Sequence, residues 1–257
     1  METFMKLFLF CCAVISAFML QSCASTSQSQ AKHLYECSEK VQEAIGKYEH
    51  KKYSSAQFIL SDVIAKCPGH CSNDTAFFYL GKSWLGMKKP QDAKLEFERL
   101  IQSYANSPFN EEAHYLVGYS CFRSSSPWYL DQASTKDALR ILNEFMESFP
   151  QSRFADSARA CVDSCNEKLA KKEYEAGHFY EKVAQYESAI VYLKGVADAY
   201  PQSKLIPQVK LSMASDMILL NRSSEADAIL DELLDQSKDP VILKKTRALK
   251  IRVRKQL

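Results

Sequence analysis

One pattern of small and apolar positions recurs along the chain. An alanine is followed by an apolar residue four positions on and another three beyond that. In three copies a proline then stands five further. The copies read Ala56, Leu60, Val63, Pro68; Ala93, Phe97, Leu100; Ala138, Leu142, Phe145, Pro150; Ala189, Leu193, Val196, Pro201; and Ala226, Leu230, Leu233. Steps of four and three hold these side chains on one helix face. Alanine lets a neighbouring helix come close, and proline past the last turn stops the helix. Each copy is preceded by another helical stretch with its own small residue, at Ala44, Gly81, Gly118, Gly177 and Ala214. The elements predicted are five helix pairs.

In the second copy Leu80-Gly81, Trp84, Ala93 and Phe97 resemble the tetratricopeptide (TPR) consensus. The marker alanines lie 37, 45, 51 and 37 residues apart, against roughly 34 in the ideal repeat. The excess sits in a loop from Ser124 to Gln132 and in an added helical stretch, roughly 154–169, leading into the fourth copy. A lone pair cannot bury its apolar face, whereas stacked pairs can. The expected fold is all-α, an α-solenoid of about five TPR-like pairs. Composition agrees: Gly is only 7 of 257 residues, too few for the turns of a strand-rich fold or for nucleotide-binding loops. A net charge of +2 removes the electrostatic case for a nucleic-acid binder.

The N-terminus reads as an address. The apolar run Leu7 to Leu20 would reach about 21 Å as a helix, short of the roughly 30 Å hydrocarbon core, so it is a signal-peptide core and not a span. Leu20-Gln21-Ser22-Cys23 resembles the lipobox of bacterial lipoproteins, in which the cysteine becomes the lipid-modified first residue. The expected organisation is a signal peptide (1–22), lipidated Cys23 with a polar tether (23–32), repeats 1–3 (33–150), and repeats 4–5 with a basic capping helix (151–257). Six further cysteines remain for an oxidising compartment. The helix pairs suggest that Cys37 pairs with Cys67 or Cys71, and Cys121 with Cys161 or Cys165. Cys67-Pro68-Gly69-His70-Cys71 is one residue too long for C-x-x-C chemistry, and zinc would lack a fourth ligand; no metal site is expected.

No catalytic arrangement stands out. His33, His50, His70, His114 and His178 make no ligand pair or triad motif, and there is no P-loop. The chain reads as a non-enzyme without a cofactor apart from the lipid on Cys23. Aromatic and apolar residues one turn from the packing positions would line a concave face: Val41, Ile45 and Tyr48, then Phe78, then Tyr115, Tyr119 and Phe122, then Tyr174. They read either as a peptide groove or as packing between neighbouring first helices. In the last 20 residues Lys238, Lys244, Lys245, Arg247, Lys250, Arg252, Arg254 and Lys255 face one Asp239. Ile242, Leu249 and Val253 make one stripe of an amphipathic capping helix there, its basic face either solvated or a docking surface for an acidic partner or anionic lipid.

The lipobox, the repeats and the helix ends Phe149-Pro150-Gln151-Ser152 and Tyr200-Pro201-Gln202-Ser203 resemble the outer-membrane assembly lipoprotein family BamD. The segment Ser126-Pro127, Leu130-Asp131-Gln132, Thr135, Ala138-Leu139 and 145–152 is similar to that family's insertion. Glu173, Phe179-Tyr180 and Tyr186-Glu187-Ser188-Ala189 are similar to its fourth repeat. The resemblance implies a subunit of the β-barrel assembly machine on the periplasmic side of the outer membrane, held there by its lipid anchor. It assigns unfolded outer-membrane proteins to Tyr48, Phe78, Tyr115, Tyr119 and Phe122. It gives the barrel-forming subunit, with its periplasmic repeat domains, to the later repeats, with Tyr174 and Arg222 as contacts; other assembly lipoproteins complete the partners. Two other families stay open: TPR proteins that coordinate envelope constriction with division and Tol systems, and outer-membrane TPR lipoproteins that bind other ligands.

Overall fold

A computed structural model describes residues 36–69 and 72–256. The described chain is helical: α1 (36–49), α2 (Tyr53–Lys66), α3 (Asn73–Gly86), α4 (Pro90–Ser103), α5 (Asn110–Ser124), α6 (Ala133–Ser148), α7 (Ala155–Lys182), α8 (Tyr186–Ala199), α9 (Ile206–Leu219), α10 (Ser223–Gln236) and α11 (Pro240–Val253). These are the TPR-like pairs that the repeat pattern predicts. Cys23 and the signal segment lie outside the described residues, as do Cys71, His33 and His70.

The marker residues are the contacts that close each pair. Ala56, Leu60, Ala93, Phe97, Leu100, Ala138, Leu142, Ala189, Leu193, Val196, Ala226 and Leu230 are all fully buried. At Gly81 a Cβ would lie 2.6 Å from the Phe97 ring, and at Gly118 2.7 Å from Leu142. The small residue of the first helix is the seat for the apolar residue of the second. Four within-pair turns pass through one residue of positive φ: Lys51, Lys88, Ala184 and Asn221. In the α5–α6 pair the longer 125–132 loop stands in place of that turn.

The helix ends with Tyr or Phe three before Ser have a shared physical role. The Ser107, Ser152 and Ser203 amides donate to the Tyr104, Phe149 and Tyr200 carbonyls. Their hydroxyls accept from the Phe109, Phe154 and Leu205 amides. Each serine thus turns the chain out of one helix and steadies the bend that leads into the next. Ser107 also donates to Asp74 at 2.8 Å, and Ser203 to Glu167 at 2.9 Å.

Contacts divide the chain into two compact units, with the boundary between His114 and Tyr115. In the second unit the added stretch and the first helix of the fourth repeat form one 28-residue helix, α7, without proline. It packs on α6 and on α8 alike, so the third and fourth repeats share one body.

The cysteines resolve differently in the two units. Cys37 and Cys67 form a disulfide, with Cα atoms 6.5 Å apart. Asn73, buried, donates its amide to the Cys67 carbonyl at 2.9 Å. The link expected from Cys121 to Cys161 or Cys165 does not form; all three are buried thiols. They pack with Ala138, Leu142, Phe145 and Ala158 in one apolar cluster. There a thiol acts as a small hydrophobe, and burial pushes the Cys165 thiol up to about 11.

Candidate interaction surfaces

In the first unit Tyr48 of α1 is half-buried, its ring 5.4 Å edge-on from Tyr79 and 5.6 Å from Tyr53. Lys82 of α3 lays its ammonium over these rings, 4.8 Å from Phe78, 5.7 Å from Tyr48 and 5.8 Å from Tyr79. It is also 3.5 Å from the Glu112 carboxylate. Burial, then nearby charges including Glu112, raise the Tyr48 and Tyr79 phenols above their ordinary value. Both therefore stay neutral donors. The cluster offers aromatic faces, phenol donors and one cation, which suits an aromatic side chain near a carboxylate.

Phe78 departs from expectation. It is 2% exposed, stacks on Phe109 at 4.3 Å and meets Phe97 edge-on. It is a core side chain: the ring that fills the space beside Phe97 cannot also face a ligand. Lys82, Tyr79 and Glu112 were not picked out from sequence, because a lysine on a helix reads as solvated.

In the second unit Tyr115 stacks on Phe154 at 5.1 Å and lies 5.9 Å from Tyr119. Tyr119 neighbours Phe122 at 6.3 Å and accepts a hydrogen bond from Arg123 at 2.9 Å. All three predicted residues are half-buried along one face of α5. Tyr174 is 7% exposed and stacked on His178, so it belongs to the core and is not a partner contact on its own. Arg222 at the start of α10 is held by Glu225 through two 2.7 Å bonds and by Glu187 at 3.2 Å. Its charge serves the α8–α10 junction first.

The insertion loop is pinned. Gln132, buried, donates to the Pro127 and Leu130 carbonyls at 2.7 and 3.1 Å and accepts from Thr135 at 2.7 Å. Lys172 of α7 reaches the Leu130 carbonyl at 2.7 Å. Around the α7–α8 turn four large apolar side chains stand in solvent: Phe179, Val183, Val191 (70% exposed) and Tyr192, with Tyr180 stacked on Tyr192 at 5.1 Å. These positions fall off the repeat pattern, which is the signal that marks them in the sequence.

Among the described residues no cluster of His, Cys, Asp or Glu could hold a metal, and no helix is long and apolar enough to cross a membrane. One buried polar group stands out. Asp216 of α9 is 3% exposed, with Oδ2 making no hydrogen bond. Burial foremost, and then Glu181 of α7, push its carboxyl up to about 7, while His178 opposes the shift. His178 contacts Glu181, whose Oε1 is likewise buried without a hydrogen bond.

Comparison with known proteins adds a family. The YfiO family, described as outer membrane lipoprotein, matches residues 85–228, more than half of the chain. The outer membrane protein assembly factor BamD of Caulobacter vibrioides is 28% identical over 129 residues, which are 50% of this chain and 42% of that protein. The alignment thus spans less than half of that relative's length. Among solved structures, a thermophilic TPR protein of Thermus thermophilus has 14% identity and TM-score 0.36, covering 86% of this chain and 98% of its own. A tetratricopeptide repeat protein of Parabacteroides merdae has 12% identity and TM-score 0.39, covering 86% and 90%.

Proposed function

We propose a function from one premise: the chain belongs to the YfiO family of outer membrane lipoproteins. On this reading it is a scaffold subunit of the β-barrel assembly machinery, without catalytic chemistry of its own. A lipid on Cys23 anchors it to the periplasmic face of the outer membrane. The family match is the observation that carries the reading, and the BamD relative of Caulobacter vibrioides supports it.

Within that role the half-buried aromatics take the clients. Tyr48 with Tyr79 and Lys82 in the first unit, and Tyr115, Tyr119 and Phe122 in the second, each suit the aromatic-rich ends of unfolded outer-membrane proteins. Their rings supply apolar area, and Lys82 and the phenols supply polar handles. The barrel-forming subunit, through its periplasmic repeat domains, takes the later repeats. The exposed Phe179, Val183, Val191 and Tyr192 are the side chains suited to it, with Arg222 at the neighbouring α8–α10 junction. Other assembly lipoproteins join the same complex.

The test is purification of the tagged lipoprotein from native outer membranes in mild detergent. Recovery of a large barrel protein with periplasmic repeat domains is the expected result. Recovery of Tol-system or peptidoglycan-synthesis proteins in its place would move the chain to envelope constriction and overturn the assembly role.

A further inference from the structure

α9 and α11 enclose a groove of about 380 Å³. Its apolar lining is the buried Leu211, the half-buried Leu249 and the exposed Ala248; Ser212 and Ser215 line the α9 side. Lys245 and Arg252 stand on the α11 side, both exposed. They are seven residues apart on one helix, about 10 Å along its axis.

The charges around the groove are unbalanced. Among the α10 carboxylates Asp227 and Asp231 are engaged by Lys250, at 2.7 and 2.8 Å, and Glu232 by Lys210 at 2.7 Å, which leaves Asp235 as one exposed carboxylate without an ion pair among the described residues. Lys244, Lys245, Arg247, Arg252, Arg254 and Lys255 are all exposed, and none of them forms an ion pair among the described residues. An apolar cleft flanked by unanswered cations calls for a ligand that brings both an apolar side chain and negative charge.

We propose that this groove binds an extended acidic peptide segment of a protein partner. One apolar side chain sits on Leu211, Ala248 and Leu249, and two carboxylates meet Lys245 and Arg252. In a polyproline-II chain three residues advance about 9 Å and bring the side chain back to the same side, which matches the separation of the two cations. The Arg252 fork can take a carboxylate bidentately, and the Ser212 and Ser215 hydroxyls can bond the peptide backbone. The remaining cations of α11 steer the segment in. A flat anionic lipid surface fits less well: it would meet cations that do not line the cleft, Lys244 and Lys255 among them, and leave the cleft empty. No groove residue is among those assigned above to clients or to the barrel subunit, so the proposal can fail while that assignment stands.

The experiment is fluorescence anisotropy on the full chain at physiological salt. The probe is a labelled glycine–serine peptide with a Glu-Leu-Ser-Glu core. Saturable binding is expected, weakened about tenfold or more by changing both glutamates to glutamine, by Lys245→Glu with Arg252→Glu, or by Ala248→Trp, which fills the cleft without altering charge. The pair Lys244→Glu with Lys255→Glu should weaken it less than about threefold. Absence of saturable binding overturns the proposal, and so does equal loss from the two charge-reversal pairs. Capture of phosphatidylglycerol vesicles in place of the peptide, abolished by the Lys244/Lys255 pair, overturns it in favour of a membrane surface.

Discussion

Asp216 of α9 lies within electrostatic reach of Glu181 of α7, and each carries a buried carboxylate oxygen that no hydrogen bond satisfies. Charging both at once inside the helix packing is costly. The folded state therefore keeps a proton on Asp216 up to about pH 7.

The pH dependence has a definite sign. The Asp216 carboxyl titrates higher in the folded chain than in the unfolded one, so between about pH 4 and 7 the folded state holds more protons. Stability falls as pH rises through that window and is level above it. Thermal unfolding should be highest near the acid end of the window, and Asp216→Asn should flatten the profile and raise the melting temperature above pH 7. An unchanged slope in the variant would assign the effect elsewhere.

Gly81→Ala and Gly46→Ala should have opposite signs. At Gly81 the new Cβ meets the rigid Phe97 ring at 2.6 Å, whereas at Gly46 nothing lies within 4 Å. The first should destabilise by about 1–3 kcal/mol. The second, in the interior of α1, should stabilise by about 0.5–1 kcal/mol through helix propensity. Denaturant titration of both variants measures the pair.

The Cys37–Cys67 disulfide closes a loop of 30 residues. Replacing both cysteines by serine should destabilise the first unit by about 3 kcal/mol, chiefly by freeing the unfolded chain. The same loss should appear in the unmodified chain with reductant and be absent from the variant. A reductant effect of equal size in the variant would trace it to another bond.

Cys161 and Cys165 should resist alkylation while the chain is folded. Burial raises both thiols, Cys165 to about 11, and the thiolate is the reacting form. Iodoacetamide mass mapping near neutral pH should find them unlabelled in the native state and labelled in denaturant. Native labelling as fast as that of an exposed thiol would contradict their burial.

The pairs were legible because their signal is local: Ala138, Leu142 and Phe145 lie within one helix, and their spacing alone names a buried face. Phe78 stayed open between groove and packing in the sequence, because helical spacing shows which residues share a face but not which neighbour covers it. Phe97 and Phe109 cover this one, from 19 and 31 residues away. Asp216 and Glu181 stand 35 residues apart, and no motif links them. The one trace was an aspartate inside the apolar run from Leu211 to Leu220. The cleft beside α11 was half visible, its cations in composition but its apolar lining only after α9 and α11 were packed.

The single rod from Ala155 to Lys182 has a consequence for how such a chain can change over time. Repeat arrays ordinarily grow or shrink by whole modules, because each seam between repeats is a loop that can be cut and rejoined. Here the seam between the third and fourth repeats runs through the middle of a helix that both use as a wall. Neither repeat can be duplicated, deleted or exchanged without tearing the other open. The heritable module in this half of the molecule is the two repeats together.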